Sequence, residues 1–172
     1  YENYKYTTES KKILTRIDWN ISKNHKFTIR NNYMVSSRLT NPSTSGANGG
    51  RGPDVNKLPF SNSNYAINQN MNSTIFELNS VFGNKFSNTL QVGYNIFRDY
   101  RESNSAPFPL VDIESNGQTL TSFGYESFTP NNKLDQDHFQ FSDHFTFYTK
   151  KHILSFGTAN EFFMFTNGFT PN

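Results

Sequence analysis

The feature that most constrains this chain is an alternation of apolar and polar residues that recurs in three pairs of segments, each pair joined by a short polar turn. In the first segment, apolar side chains occupy most odd positions from Ile13 to Ile21, and polar side chains such as Arg16 and Asp18 lie between them. The chain then turns at residues 23–25, after which the alternation resumes. Alternation over about ten residues predicts a β-strand with one face in an apolar environment and the other in water.

The repeated pattern predicts an all-β, antiparallel fold of about six strands. Three hairpins are predicted over residues 12–38, 70–98 and 136–166, and loops rich in Asn, Gly and Pro separate them at 39–69 and 99–135. Short turns at one end and long loops at the other are typical of transmembrane β-barrels, whose turns are periplasmic and whose loops are extracellular. The composition of the first loop gives it little capacity to bury a core, so we expect it to be mobile, and we expect the second loop to fold on itself with short strands of its own.

The overall composition is compatible with such a barrel, although it resembles that of a water-soluble protein. Only 34% of the residues are hydrophobic, the mean hydropathy is -0.72, and no apolar run is long enough for a membrane-spanning helix. In a β-barrel only every second residue faces lipid, so the average stays polar. The high aromatic content, with 18 Phe and 9 Tyr, favours strands and the membrane–water boundary.

Six strands are too few to close a lipid-facing barrel, because single-chain bacterial examples begin at about eight. An open sheet edge in hydrocarbon costs several kcal/mol for each unpaired backbone group. Residues 1–172 are therefore predicted to be a partial outer-membrane barrel domain that further polypeptide completes. No leader pattern precedes Tyr1, so we expect the chain to begin inside a longer protein. The net charge of +2, without a Lys/Arg cluster, gives no indication of nucleic-acid binding.

The alternation also predicts which medium each side chain meets. The residues predicted to contact lipid are Ile13, Ile17, Trp19, Phe27, Ile29, Leu90, Val92, Phe145 and Leu154. Those predicted to face the lumen are Arg16, Asp18, Arg30, Glu77, Gln91 and His138. The predicted boundary aromatics are Trp19, Tyr33, Tyr94 and Tyr148. The loop residues predicted to contact a substrate first are Arg51, Tyr65, Phe108 and Tyr125.

Three polar residues interrupt the apolar face. Asp143 falls among phenylalanines near the middle of its predicted strand, and Asn31 and Ser80 are milder interruptions. A carboxylate that faces lipid is unfavourable. We therefore expect a bulge, a shift in register or a contact with a partner chain at Asp143.

Several runs of residues resemble barrel segments of TonB-dependent outer-membrane receptors. The runs are 18–26 (DWNISKNHK), 108–113 (FPLVDI), 139–143 (FQFSD), 151–157 (KHILSFG) and 167–169 (NGF). Within that superfamily they are most similar to the Oar-like branch, which carries a carboxypeptidase-regulatory-like domain at its N-terminus. The resemblance extends over nearly the whole chain, but it rests on strand patterns and not on reactive residues.

The resemblance implies a barrel of 22 strands in the bacterial outer membrane, a plug domain inside it, and ligand import driven by TonB and the proton-motive force. The implied partners are outer-membrane lipid, the rest of the barrel with its plug, and the TonB complex. Association with a larger outer-membrane assembly is left open. Residues 1–172 include neither a plug nor a TonB-contacting segment, so no residue here is predicted to couple energy, and the ligand is not identified.

The sequence gives little indication of a metal, a cofactor or an enzymatic site. His138 and His144 share a predicted face but lie roughly 20 Å apart along the strand, too far to bind one ion. Asp143 and His144 are adjacent, and alternation sends their side chains to opposite faces. Asp135 and Asp137 could supply oxygen ligands to Ca²⁺, although no calcium-loop spacing accompanies them. We expect no cofactor and no enzymatic activity.

One alternative fold and function stays open at this stage. The same strands could form a soluble or surface-attached β-sandwich, such as a carbohydrate-binding module, whose aromatic face packs against a second sheet. That fold does not explain the regular alternation of short turns with long loops. The two folds differ in whether a second layer covers Ile17 and Phe145.

Overall fold

Each predicted hairpin forms two long antiparallel strands in the computed structural model, which describes residues 5–170. The strands, numbered in chain order, are β1 Thr8–Ser22, β2 His25–Thr40, β3 Tyr65–Phe82, β4 Phe86–Ser103, β5 Val111–Ser115, β6 Gln118–Phe123, β7 Lys133–Tyr148 and β8 Ile153–Gly168. A single turn of 3-10 helix covers Ser61–Ser63. The large sheet has the order β1-β2-β3-β4-β7-β8, and β5 and β6 form a separate two-stranded sheet. The predicted all-β antiparallel architecture is confirmed.

The three turns fall where the sequence predicts them, but the strands extend further at the loop ends. β3 begins at Tyr65, within the predicted first loop, and β4 continues to Ser103. Residues such as Asn68 and Gln69 pair in the sheet although the apolar alternation has ended. A strand that meets water on both faces has no reason to alternate, so periodicity underestimates its length. The strands of the large sheet have 15 to 18 residues, whereas about ten suffice to cross a bilayer at a tilt.

The two outer strands of the large sheet remain unpaired on one side. Among residues 5–170, β1 pairs only with β2 and β8 only with β7, so barrel closure is not seen. No second sheet among these residues covers the apolar face, and Ile17 stays exposed there. The β-sandwich alternative therefore does not form. In the part of the chain that the structure describes, no helix is long and apolar enough to span a membrane.

The two long loops pack against each other at one end of the sheet. The second loop contains the β5–β6 hairpin, as the sequence predicts. The first loop continues this small sheet, because the backbone N–H groups of Leu58 and Phe60 donate to the carbonyl groups of Leu120 and Ser122. The residues that the first loop buries are polar side chains and prolines rather than an apolar core. They include Arg51, Lys57, Pro59, Ser63 and Asn64.

Candidate functional site

The strand register separates the two predicted sets of wall residues completely. Directly paired residues of an antiparallel sheet share one face. Trp19 pairs with Phe27, Phe27 with Leu78, and Leu78 with Leu90. When such pairs are followed across the sheet, every residue predicted to contact lipid lies on one face, which we call the apolar face. Every residue predicted to face the lumen lies on the other, which we call the polar face. The medium that each face meets stays a prediction.

The apolar face is a band of limited height. On β4 the outward apolar positions extend from Phe86 to Ile96, and the next outward positions are Arg98, Tyr100 and Glu102. The apolar stretch is about 33 Å long at roughly 3.3 Å per residue, and a strand tilt of about 40° reduces its height to about 25 Å. This height equals that of the lipid-facing band of outer-membrane barrels. Towards the long loops the face becomes charged.

Two polar interruptions of the apolar face have partners on a neighbouring strand. The Asn31 amide donates to Asn72 Oδ1 at 2.8 Å and to Thr74 Oγ1 at 2.9 Å. Ser80 Oγ lies 2.9 Å from the ring nitrogen Nδ1 of His25. Because these polar atoms form hydrogen bonds within the sheet, they do not need water, and their cost in an apolar medium is reduced.

Asp143, the third interruption, does not distort its strand. β7 keeps continuous register with both β4 and β8 at this point, so the predicted bulge or register shift is wrong. The carboxylate instead accepts a hydrogen bond from Asn88 Nδ2 at 2.7 Å. Asn88 is the residue opposite Phe145, one pair further along the same face. A neighbouring side chain thus partly compensates a charge that the sequence pattern left unexplained.

The predicted boundary aromatics fall on both faces. Trp19, Tyr33 and Tyr94 share the apolar face, as expected. Tyr148 does not, because it follows Phe147 directly and therefore points to the opposite side. Its hydroxyl lies 3.2 Å from Ser87 Oγ on the polar face. Tyr148 therefore lies on the polar face, and the position of these four aromatic residues at a membrane boundary stays a prediction.

The polar face is connected by ion pairs and hydrogen bonds that cross the strands. Asp18 accepts two hydrogen bonds from Arg16 at 2.8 and 3.0 Å and one from Thr28 at 2.7 Å. Arg30 donates to Glu77 at 2.7 Å. These groups were predicted to face the lumen, and the structure brings them into contact with one another.

The network continues toward β7. Asn79 donates to Glu77 at 2.7 Å, and Thr89 donates to Asn79 at 2.8 Å. Further along, Asn95 lies 3.1 Å from the ring of His138, which stacks on Phe163 with centroids 4.2 Å apart. The polar face therefore carries several clusters of side chains that hydrogen-bond to one another across the strands.

An arginine fastens the two long loops, residues 41–64 and 104–132, which together are called the loop cap. Arg51 Nε and Nη2 donate to the two carboxylate oxygens of Asp112 at 2.8 and 2.7 Å, and Nη1 donates to the backbone carbonyls of Ser43 and Ser45. Burial alone would raise the pKa of Asp112. The hydrogen bonds from Arg51 and Ser122 outweigh that effect and hold the pKa below its ordinary value.

A lysine holds the first loop in a similar way. Lys57 Nζ donates to the backbone carbonyls of Gly49 and Gly50 at 2.6 and 3.0 Å and lies 3.4 Å from Asp54. The backbone N–H of Asn56 is the main cause of the lowered pKa of Asp54. Each charged side chain in this loop therefore hydrogen-bonds to nearby backbone groups. These hydrogen bonds order a glycine-rich segment that has no apolar core.

The four predicted loop contacts differ in their accessibility. Arg51 and Tyr65 are each only 7% exposed, so the expectation that they are presented to a substrate at the surface is wrong. Arg51 is occupied by Asp112, and Tyr65 lies in β3 beneath the guanidinium of Arg101. Phe108 is 54% exposed, and it lines a cleft together with Tyr125.

Sequence reasoning found two residues of this cleft but missed what holds it open. Its walls are residues 107–110 and 125–130. Gly124 joins them with a φ of +108°, and a Cβ at this position would lie 2.2 Å from the carbonyl oxygen of Pro109. Behind the second wall, the fully buried carboxylate of Glu126 accepts hydrogen bonds from the Phe128 N–H and the Thr129 hydroxyl. A glutamate in a loop normally indicates exposure, so the sequence carried no signal for this role.

The candidate calcium ligands are used in ion pairs. Arg98 Nη2 lies 2.8 Å from Asp137, and Arg98 Nε lies 3.8 Å from Asp135. Within residues 5–170, no group of three or more His, Asp or Glu side chains is arranged to hold a metal ion. Asp143 and His144 point to opposite faces, because they pair with the consecutive residues Leu90 and Thr89.

Comparison with known proteins gives one match. A family model described as an outer membrane beta barrel domain matches residues 1–172, so the match includes the strands and the loop cap alike. No curated protein and no solved structure gives a significant match to the chain.

Proposed function

Since the chain belongs to the outer membrane β-barrel domain family, we propose that it forms part of the wall and the loop cap of a TonB-dependent receptor that imports a ligand. Proteins of this family lie in the bacterial outer membrane, and so does this chain. The finer assignment to a TonB-dependent receptor rests on the resemblance described above and on the geometry that follows. Further strands complete the barrel in this proposal, because six strands with two open edges cannot span a bilayer alone.

The observation that carries the proposal is a folded cap above a long, polar wall. The strands exceed the length needed to cross the bilayer and end in loops fastened by Arg51 and Asp112. A pore that only admits small solutes needs no such cap, whereas a receptor needs a shaped extracellular surface. The hydrogen-bonded polar face would line the lumen, where a plug or a passing ligand contacts it.

A plugged receptor and an open channel differ in their electrical conductance. We would insert the full-length protein that contains this chain into planar lipid bilayers. The proposal expects a small conductance that rises when the plug domain is deleted. Binding of the purified periplasmic domain of TonB to the full-length protein provides the second measurement. A large, constant conductance together with no TonB binding would contradict the receptor assignment and leave the outer-membrane barrel intact.

A further inference from the structure

The cleft of the loop cap has the size and shape of a ligand site. Its volume is about 560 Å³, within the range of roughly 300–1,000 Å³ that is usual for small-molecule pockets. Phe108 and Tyr125 supply two aromatic rings, and Pro107, Pro109 and Pro130 supply rigid apolar surface. Proline and aromatic side chains lose little conformational freedom when a ligand binds, which favours affinity.

The cleft is held in shape before any ligand arrives. The backbone N–H of Tyr125 donates to the carbonyl of Phe108 at 3.1 Å and so joins the two walls. The ring of Phe108 stacks on Phe123, with centroids 6.2 Å apart. Gly124 lets the backbone pass close to the carbonyl of Pro109, where a Cβ would not fit. These contacts tie residues 107–110 to residues 123–125 within the second loop.

The lining determines the charge and polarity of the ligand. Of the described residues that line the cleft, none is charged, and side-chain hydrogen-bonding groups are limited to the hydroxyls of Tyr125 and Ser127. The buried charges of Arg51 and Glu126 are occupied within the cap. A charged ligand would lose its hydration without gaining a counter-charge. A sugar would bury many hydroxyls and leave most of them without a partner.

The volume sets the size of the ligand. A cavity of about 150 Å³ is enough to hold a benzene ring, and this cleft is several times larger. A single aromatic side chain of a peptide would therefore leave most of the apolar lining exposed. A molecule with more than one ring would cover it.

We propose that this cleft binds an uncharged, mainly apolar small molecule with more than one ring and only one or two hydrogen-bonding groups. That this molecule is the imported ligand rests on the proposed function. Binding itself does not, because it requires only the folded cap. Phe108 and Tyr125 contact the rings, and the Ser127 hydroxyl orients a polar group.

The test measures binding to the full-length protein in lipid nanodiscs by saturation-transfer NMR, with empty nanodiscs as the reference for partition into lipid. Coumarin, flavone and testosterone are the uncharged polycyclic probes. Testosterone hemisuccinate adds a carboxylate to the same ring system, and maltose is a neutral polyol of two rings. We expect at least one uncharged polycyclic probe to bind, and Phe108→Ala or Tyr125→Ala to weaken that binding at least about fivefold.

Phe60→Ala is the matched control. Phe60 also packs on Phe123, with centroids 6.1 Å apart, and is similarly exposed, but it does not line the cleft. The Phe60→Ala variant should bind the probe with an affinity within about twofold of that of the parent protein. The proposal is overturned if no uncharged probe shows binding that depends on Phe108. It is also overturned if the hemisuccinate or maltose binds more tightly than the uncharged probes in a manner that depends on Phe108. The same holds if Phe60→Ala weakens binding as much as Phe108→Ala does. Conductance reports on the receptor assignment separately, so an open pore with intact probe binding would remove only that assignment.

Discussion

The wall and the loop cap use charged residues in different ways. In the wall, the side chains of Arg16 and Asp18 are 54% and 39% exposed, and Asp18 also contacts Thr28 and Lys26 on the neighbouring strand. In the cap, the side chains of Arg51 and Asp112 are only 8% and 16% exposed. The Arg51 guanidinium donates hydrogen bonds to the Asp112 carboxylate and to two backbone carbonyl groups. Exposed pairs contribute about 0–1 kcal/mol, whereas breaking a buried pair costs about 3–5 kcal/mol. The stability of the wall is therefore spread over many residues, while that of the cap depends on a few.

The largest expected effect is on the cap and comes from Arg51→Met. This change leaves Asp112 buried without its partner and leaves the carbonyls of Ser43 and Ser45 without their donor. We expect the cap to lose about 3–5 kcal/mol of stability. Hydrogen exchange should then speed up in residues 41–64 and 104–132 and stay unchanged in the wall. Arg16→Met, which breaks an exposed wall pair, is the control and should leave hydrogen exchange in the cap unchanged. Equal effects of the two changes would contradict the proposed difference between wall and cap.

A second comparison separates the two faces of the wall itself. Val92→Arg introduces a charge on the apolar face, near the middle of the Phe86–Ile96 band, where the directly paired residues are Phe76 and Phe141. It should destabilise the folded full-length protein by about 2–4 kcal/mol in lipid vesicles. Gln91→Arg adds the same side chain on the polar face and should change stability by less than about 1 kcal/mol. Urea unfolding of vesicle-reconstituted protein measures both values. If Gln91→Arg costs as much as Val92→Arg, the assignment of lipid and lumen to the two faces is wrong.

The difference between wall and cap also decides what the sequence could predict. Apolar and polar residues alternate with few interruptions between Phe86 and Ile96, so the two faces could be read from the sequence. Beyond Ile96 the alternation ends, and the length of β4 was therefore underestimated. The Asn88 partner of Asp143 lies 55 positions away, and finding it requires the register of β4 on β7.

The short strands of the cap could be expected from the sequence, but the contacts that pack its two loops together could not, because no repeating pattern marks them. Arg51 and Asp112 are 61 positions apart in two loops, each of which reads as polar and exposed. Phe108 and Tyr125 were proposed as contacts because they lie in a loop, but the same reasoning also selected the buried residues Arg51 and Tyr65. The shape of the cleft depends on Gly124 and Glu126, and a glycine and a carboxylate in a loop do not distinguish a buried support from an exposed turn.

Two glycines test whether the backbone of the cap is as constrained as its side chains. Gly124→Ala forces a Cβ against the carbonyl of Pro109 at a φ of +108° and should cost at least about 1–3 kcal/mol in cap stability, with loss of probe binding in the cleft. Gly117, in the β5–β6 turn, also has a positive φ, of +72°, but nothing lies within 4 Å of its Cβ position. Gly117→Ala should therefore cost about 1 kcal/mol and keep the cleft. Hydrogen exchange and the saturation-transfer signal measure the two effects. A cleft that survives Gly124→Ala would show that its walls do not need this close contact.

The smallest expected effect is a dependence of the cap on pH, which follows from the lowered pKa of Asp112. The ordinary pKa of the carboxyl is 3.8, and a group whose pKa is lower when folded stabilises the fold fully above that ordinary value. Its contribution is lost as the pH falls through the lowered pKa, because the protonated carboxyl no longer pairs with Arg51. The cap should accordingly stay closed to pepsin near pH 4 and open progressively at lower pH, while the wall remains uncut. Asp112→Asn removes this titration, so its pepsin sensitivity should be higher near pH 4 and should change less between pH 4 and pH 2. If the parent and the variant gain sensitivity in parallel over that interval, the ion pair between Arg51 and Asp112 does not control the opening of the cap.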